Sequence, residues 1–143
     1  MKNIVKLLVL ACIAAPASAA DWRFAYGAKA HAVFVDAESI QRTGDTVRYW
    51  YTIIFKVPSP NNSNAKRAII LEIADCSDLS YQRLQGVTYS ASGRQTDMGA
   101  TGKSFAAPDT NAAYILEKVC KGDFRGKDLD PQQFASEIFE RMN

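Results

Sequence analysis

The chain has 143 residues, 48% of them hydrophobic and 22% charged, with 17 Lys and Arg against 15 Asp and Glu and a formal net charge of +2. Two of those cations, Lys2 and Lys6, lie in an N-terminal segment with the pattern of a secretory signal. The remainder therefore balances to a net charge near zero, which excludes the whole-molecule attraction to phosphate that a nucleic-acid binder uses.

Met1 to Ala20 reads as a signal peptide: the two lysines, an apolar run from Leu7 to Ala15, then Ala17-Ser18-Ala19 as small residues for cleavage. Residues 21–143 then form one domain, a length suited to a single modest core. Two fates are open for Cys12. Val9-Leu10-Ala11-Cys12 loosely matches a lipoprotein cleavage box, which would tether the chain to a membrane. Leu10 is bulky where that box takes a small residue, and the alternative is removal of Cys12 with the signal.

Trp22 to Tyr26 is expected to be a first strand and Ala30 to Asp36 a second. Gly44-Asp45 is a two-residue loop with Gly first, a tight hairpin turn between Ser39–Thr43 and the strand from Thr46. Thr46 to Val57 is the clearest strand, with Val47, Tyr49, Tyr51, Ile53, Phe55 and Val57 on one face by period two. Trp50 and Ile54 on the other face predict partial cover there as well. Pro58 to Asn64 is a loop by composition. Arg67 to Asp75 follows as a strand with Ile69, Leu71 and Ile73 as its apolar face. Tyr81 to Ala91 is another, with a bulge expected at Gly86. After a polar, Gly-containing stretch to Lys103, Ser104 to Ala107 adds a last short strand.

Pro108-Asp109-Thr110 opens a helix running through Cys120, with the stripe Ala112, Ile115, Leu116 and Val119. Asp130-Pro131-Gln132-Gln133 starts a final helix, Asp130 as N-cap and Pro131 at the first turn, with Phe134, Ile138 and Met142 as the stripe. Beyond the signal there are two cysteines, Cys76 and Cys120, and in an exported chain they most simply pair. Closing a loop of this length gives roughly 4 kcal/mol in the chain-entropy model. Free thiols forming a redox or metal site are the weaker alternative, because no CxxC exists.

Chemistry-bearing motifs are sparse. Gly99 to Ser104 ends like a phosphate loop, but Asp97 stands where that pattern needs Gly, and Pro108 prevents the helix that must follow. Asp128 and Asp130 lack the Gly and terminal Glu of a calcium loop. Lys121-Gly122-Asp123 reads as a solvated turn after the helix. A Ser-His-Asp or Cys-His site could use only His31, the single histidine. Neither a catalytic residue nor a metal or cofactor is assigned, and the chain reads as non-enzymatic. The most basic stretch is Lys56, Lys66 and Arg67 around the Pro/Asn loop, with no acid between Asp45 and Glu72; the three are a candidate contact for an anionic partner.

Phe34-Val35-Asp36-Ala37-Glu38-Ser39-Ile40, the hairpin and long aromatic strand after it, Ala74-Asp75-Cys76, Tyr81 to Gly93, Pro108-Asp109-Thr110 and Val119-Cys120 together resemble, in that order, the surface-adhesin protein E family of bacterial envelope proteins. The resemblance spans roughly Trp22 to Asp123. It implies an antiparallel sheet with a disulfide-bonded helix, often a homodimer, displayed on the outer membrane. It also implies binding of host extracellular-matrix or serum proteins such as vitronectin and laminin, without enzymatic activity.

The expected fold is α+β: an antiparallel meander of five or six strands, one face covered by the disulfide-stapled Thr110–Cys120 helix, with the Asp130–Met142 helix packed nearby. The expected function is an exported, adhesin-like protein-binding module in the periplasm or on the outer-membrane surface. The alternative is a periplasmic small-ligand carrier with Tyr49, Trp50, Tyr51 and Phe55 lining a cavity.

Overall fold

The computed structural model describes residues 19–59, 64–124, 126 and 128–142. Most of the expected signal segment, Cys12 with it, and the middle of the expected Pro58–Asn64 loop lie outside the described residues.

The elements in chain order are β1 (Trp22–Gly27), β2 (His31–Asp36), a 3-10 turn (Ala37–Ser39), β3 (Gln41–Thr43), β4 (Thr46–Ser59), β5 (Ala65–Asp75), β6 (Ser80–Ser90), β7 (Gln95–Asp97), β8 (Ser104–Phe105), α1 (Asn111–Lys121) and α2 (Pro131–Arg141). Every strand pairing is antiparallel. Six strands form the expected meander in the order β1-β2-β4-β5-β6-β7, while β3 pairs with β4 and β8 with β6. Thr43 pairs with Thr46, so Gly44-Asp45 is the two-residue hairpin loop that the sequence called for.

Hydrophobic side chains cover both faces of the sheet. On one face Val33, Val35, Val47, Tyr49, Tyr51, Ala68, Ile70 and Ala74 pack against Ile115, Leu116 and Val119 of α1. On the other, Ala32, Phe34 and Ile54 pack against Ala135 and Phe139 of α2. Alternate residues of β2 therefore enter different cores, as the two-residue period of a strand requires. The C-terminal helix does not pack beside α1; it covers the opposite face.

α1 is fixed at both ends. Thr110 caps it, its hydroxyl accepting from Ala113 N, and Gly122 ends it in the left-handed conformation with φ +66°, donating to Lys118 O. That accounts for the Lys121-Gly122-Asp123 turn as helix termination. Cys76 and Cys120 form the expected disulfide, across a separation of 44 positions. Beside it, Arg42 Nη2 donates to Val119 O at 3.0 Å and Cys120 O at 2.8 Å, placing a cation on the carbonyl end of the helix. α2 is capped by Asp130, which accepts from Gln133 N at 2.8 Å. It packs on an edge-to-face cluster of Phe24, Phe34 and Phe134.

Several sequence expectations change, among them the end of β4, which runs to Ser59 into the expected Pro58–Asn64 loop, and β7, which lies in the polar stretch before Lys103. On β5 the main-core face is Ala68, Ile70, Glu72 and Ala74; on the expected face Leu71 is buried, while Ile69 and Ile73 are half-buried. On α2 the buried positions are Pro131, Ala135 and Phe139, with Phe134 and Ile138 as flanks and Met142 39% exposed. The buried stripe runs through Pro131, Ala135 and Phe139 at i, i+4 spacing, one position round the helix from the expected Phe134, Ile138 and Met142. Val57, expected on the core face of β4, is 63% exposed because the strand outruns the sheet beneath it.

Gly86 is not a bulge. The register shift falls between Leu71 and Glu72 of β5, opposite Arg83 to Gln85, and Gly86 pairs regularly with Ile70. A side chain at Gly86 would meet Met98 Sδ at 3.2 Å and Ile70 Cγ1 at 3.3 Å. The glycine is there because neighbouring atoms approach closely.

Candidate functional site: a basic groove beside α2

β4 and β5 meet at the end of the sheet where α2 crosses it. Ile54 of β4 pairs with Arg67 of β5, and the ladder then shifts register before Ser59 pairs with Ala65. This irregular end opens a groove of about 560 Å³. Lys56, Lys66 and Arg67 line one wall, Gln132 and Ser136 of α2 form the other, and Phe139 lies between. The three cations singled out from the sequence are thus brought together in one concavity.

Their positions are held by short-range bonds. Lys66 Nζ donates to Lys56 O at 2.9 Å. Arg67 Nε donates to Thr52 Oγ1 at 3.1 Å, and that buried hydroxyl donates onward to Ala68 O at 2.8 Å. Among the described residues, no Asp or Glu lines the groove, and neither Lys66 nor Arg67 is ion-paired. Cations anchored on one side of a groove, facing amide and hydroxyl groups over an apolar floor, suit a carboxylate carried on a protein surface. Sequence reading found the cations. It missed Gln132, Ser136 and Phe139, because nothing local in α2 says which strands it will cross.

A second polar cluster lies on the other face of the sheet, beneath α1. Glu72 is 4% exposed. Its Oε1 accepts from the Tyr49 hydroxyl and its Oε2 from the Tyr51 hydroxyl at 3.2 Å. Burial pushes the Glu72 carboxyl above its ordinary range, against the opposing pull of the two phenols and of Arg83. Burial likewise carries both phenols well above theirs, and the Glu72 charge adds to it. His31 stands at the edge, its Nε2 2.7 Å from Asn111 Nδ2. An amide nitrogen only donates, so Nε2 is the acceptor of a neutral ring with its proton on Nδ1. Burial lowers the His31 pKa in the same sense. The sequence offered one signal for this cluster, an acid inside the apolar run Ile69-Ile70-Leu71-Glu72-Ile73.

The four aromatic residues expected to share a cavity do not. Tyr49 is fully buried in the main core, and Trp50 lies on the opposite face from Tyr49, Tyr51 and Phe55. Among the described residues, no group of three or more His, Cys, Asp or Glu is placed to hold a metal ion. No helix among them is long and apolar enough to cross a membrane.

A family model for surface-adhesin protein E matches residues 22–121. No curated protein sequence matches the chain. Two solved structures of Haemophilus influenzae protein E are similar to it. One aligns at 14% identity and a TM-score of 0.52, covering 73% of this chain and 87% of the other. The second, from crystal form II, aligns at 15% identity and a TM-score of 0.50, covering 73% and 91%. At these identities the likeness bears on the fold alone.

Proposed function

The chain belongs to the surface-adhesin protein E family, and from that premise we propose that it is an exported, non-enzymatic protein-binding module whose contact surface is the groove holding Lys56, Lys66 and Arg67. Its partners in this reading are host matrix or serum proteins such as vitronectin and laminin. Residues 1–20 act as the export signal and 21–143 as the displayed domain, on the outer-membrane surface or in the periplasm.

The observation that supports this reading is the groove itself. β4 and β5 gather three cations beside α2, and among the described residues no carboxylate lines the groove, although the chain beyond its expected signal carries no net charge. A charge that is local and not global attracts a complementary patch on a protein and leaves nucleic acid largely unbound.

The test is binding of the purified, oxidised protein to immobilised vitronectin and laminin at low and at physiological salt. Wild type is expected to bind saturably in both. Replacing Lys56, Lys66 and Arg67 together by Ser is expected to weaken binding at least tenfold and to flatten its salt dependence. Unchanged binding by the triple variant removes the groove from the mechanism, and no binding by a folded wild type removes these partners.

A further inference from the structure

α1 does not close completely over the sheet. Between them lies a half-enclosed cavity of about 170 Å³, with Glu72, Tyr51 and Tyr81 on the sheet side, Asn111 and Ala112 on the helix side and His31 at the edge. It is separated by the sheet from the basic groove, and its chemistry is opposite. For scale, a protein cavity of about 150 Å³ accommodates benzene, so this one suits a ligand of six or seven heavy atoms.

Among the described residues, the lining contains one acid, no Lys and no Arg. Each phenol donates a single hydrogen, so Tyr49 and Tyr51 occupy one acceptor position on each Glu72 oxygen and leave further lone pairs available. Arg83 is near enough to bias Glu72. Its guanidinium is committed elsewhere, Nε donating to Gly99 O at 2.9 Å and Nη2 to Met98 O at 3.2 Å. His31 is neutral in the bond it makes with Asn111 and adds no competing charge. A buried carboxylate facing a small cavity with two tyrosine rings is the combination that attracts an ammonium group, by charge and by the electron-rich ring faces. A divalent metal is a poor fit, because one carboxylate offers too few ligands.

We propose that the cavity between α1 and the sheet binds a small organic cation of choline size, with the Glu72 carboxylate as counter-charge and the Tyr51 and Tyr81 rings as walls. The site is independent of the proposed adhesin contact, and either can fail alone.

The test is titration of the oxidised protein with choline and, separately, with its uncharged isostere 3,3-dimethylbutan-1-ol, followed by amide shifts in two-dimensional NMR. Choline is expected to shift resonances of β2, β4, β5 and α1 saturably, with the isostere at least tenfold weaker. Ala112→Phe, which fills the cavity from the helix side, is expected to abolish binding. Glu72→Gln is expected to remove the preference for the charged ligand. Absence of saturable shifts overturns the proposal, as do equal binding of the isostere and undiminished choline binding to Ala112→Phe. If Glu72→Gln does not fold, the choline and isostere comparison on the wild-type chain decides.

Discussion

α1 and α2 are each eleven residues long. Each begins with a side-chain cap and lays an apolar stripe on the same sheet. Yet they are held by different means. α1 is tied by the Cys76–Cys120 bond, by Arg42 on its last carbonyls and by the larger of the two cores. α2 has no covalent tie and rests on a smaller core built around Phe24, Phe34, Phe134 and Phe139. The approach to α2 is tethered to β1 by polar contacts: Leu129 N donates to Trp22 O at 3.1 Å, Trp22 N to Asp128 Oδ1 at 3.0 Å, and Arg23 Nη1 to Gly126 O. The helix that shields the buried Glu72 cluster is thus the covalently tied one, and the helix that walls the basic groove is held by packing and polar contacts alone. A helix with no covalent tie can separate from the sheet without a bond being broken, so the groove is expected to be the more adaptable surface.

Removing the disulfide tests this contrast most strongly. Cys76→Ser with Cys120→Ser is expected to cost about 4 kcal/mol in chemical denaturation, with amide-exchange protection falling first in α1. A loss below about 1 kcal/mol would mean that the bond adds little to what packing already secures, and the two helices would then be alike.

Phe34→Ala addresses the other face. Phe34 is fully buried and in ring contact with Phe24 and Phe134, so truncation is expected to cost about 3–4 kcal/mol. Exchange in α2 should accelerate while α1, on the far side of the sheet, keeps its relative protection. Equal acceleration in both helices would show a single cooperative unit with no weaker half.

The smallest expected effect is a pair of opposite pH slopes at the α1 cavity. Glu72 is raised above its ordinary 4.5, so the folded state binds its proton more readily than the unfolded state. Its contribution is complete below 4.5 and is lost as pH rises through the folded value. Glu72→Gln should therefore gain stability relative to wild type as pH climbs from 4.5. His31 is lowered from 6.5, so its contribution is present above 6.5 and is lost as pH falls through the folded value. His31→Gln should gain relative to wild type on the acid side. Parallel slopes for the two variants would refute the assignment of burial as the common cause.

Much of the framework was legible in the chain. The strand from Thr46, the Gly44-Asp45 turn, Asp130 as a cap and the Ile115, Leu116 and Val119 stripe all follow from patterns within a few residues of one another. The disulfide was legible because only Cys76 and Cys120 remain once the expected signal segment is set aside. The candidate groove was half legible: the cations stand out in an acid-free stretch, but their partners on α2 do not.

The errors share a cause. Ile69, Leu71 and Ile73 look like the one core face of β5, yet of the three only Leu71 is buried, because alternation marks a buried face only when the other face is polar. Here both faces are apolar, and the true core face hides a glutamate. Sequence by itself determined which segments form the long strands and the two helices and which cysteines meet, because periodicity, capping and turn chemistry act locally. Tertiary structure alone decided which face each residue enters, that α2 crosses to the side opposite α1, and that Lys56, Lys66 and Arg67 share a groove with Gln132 and Ser136. Those choices depend on how two apolar stripes divide the two sides of one sheet, a competition between residues distant in the chain.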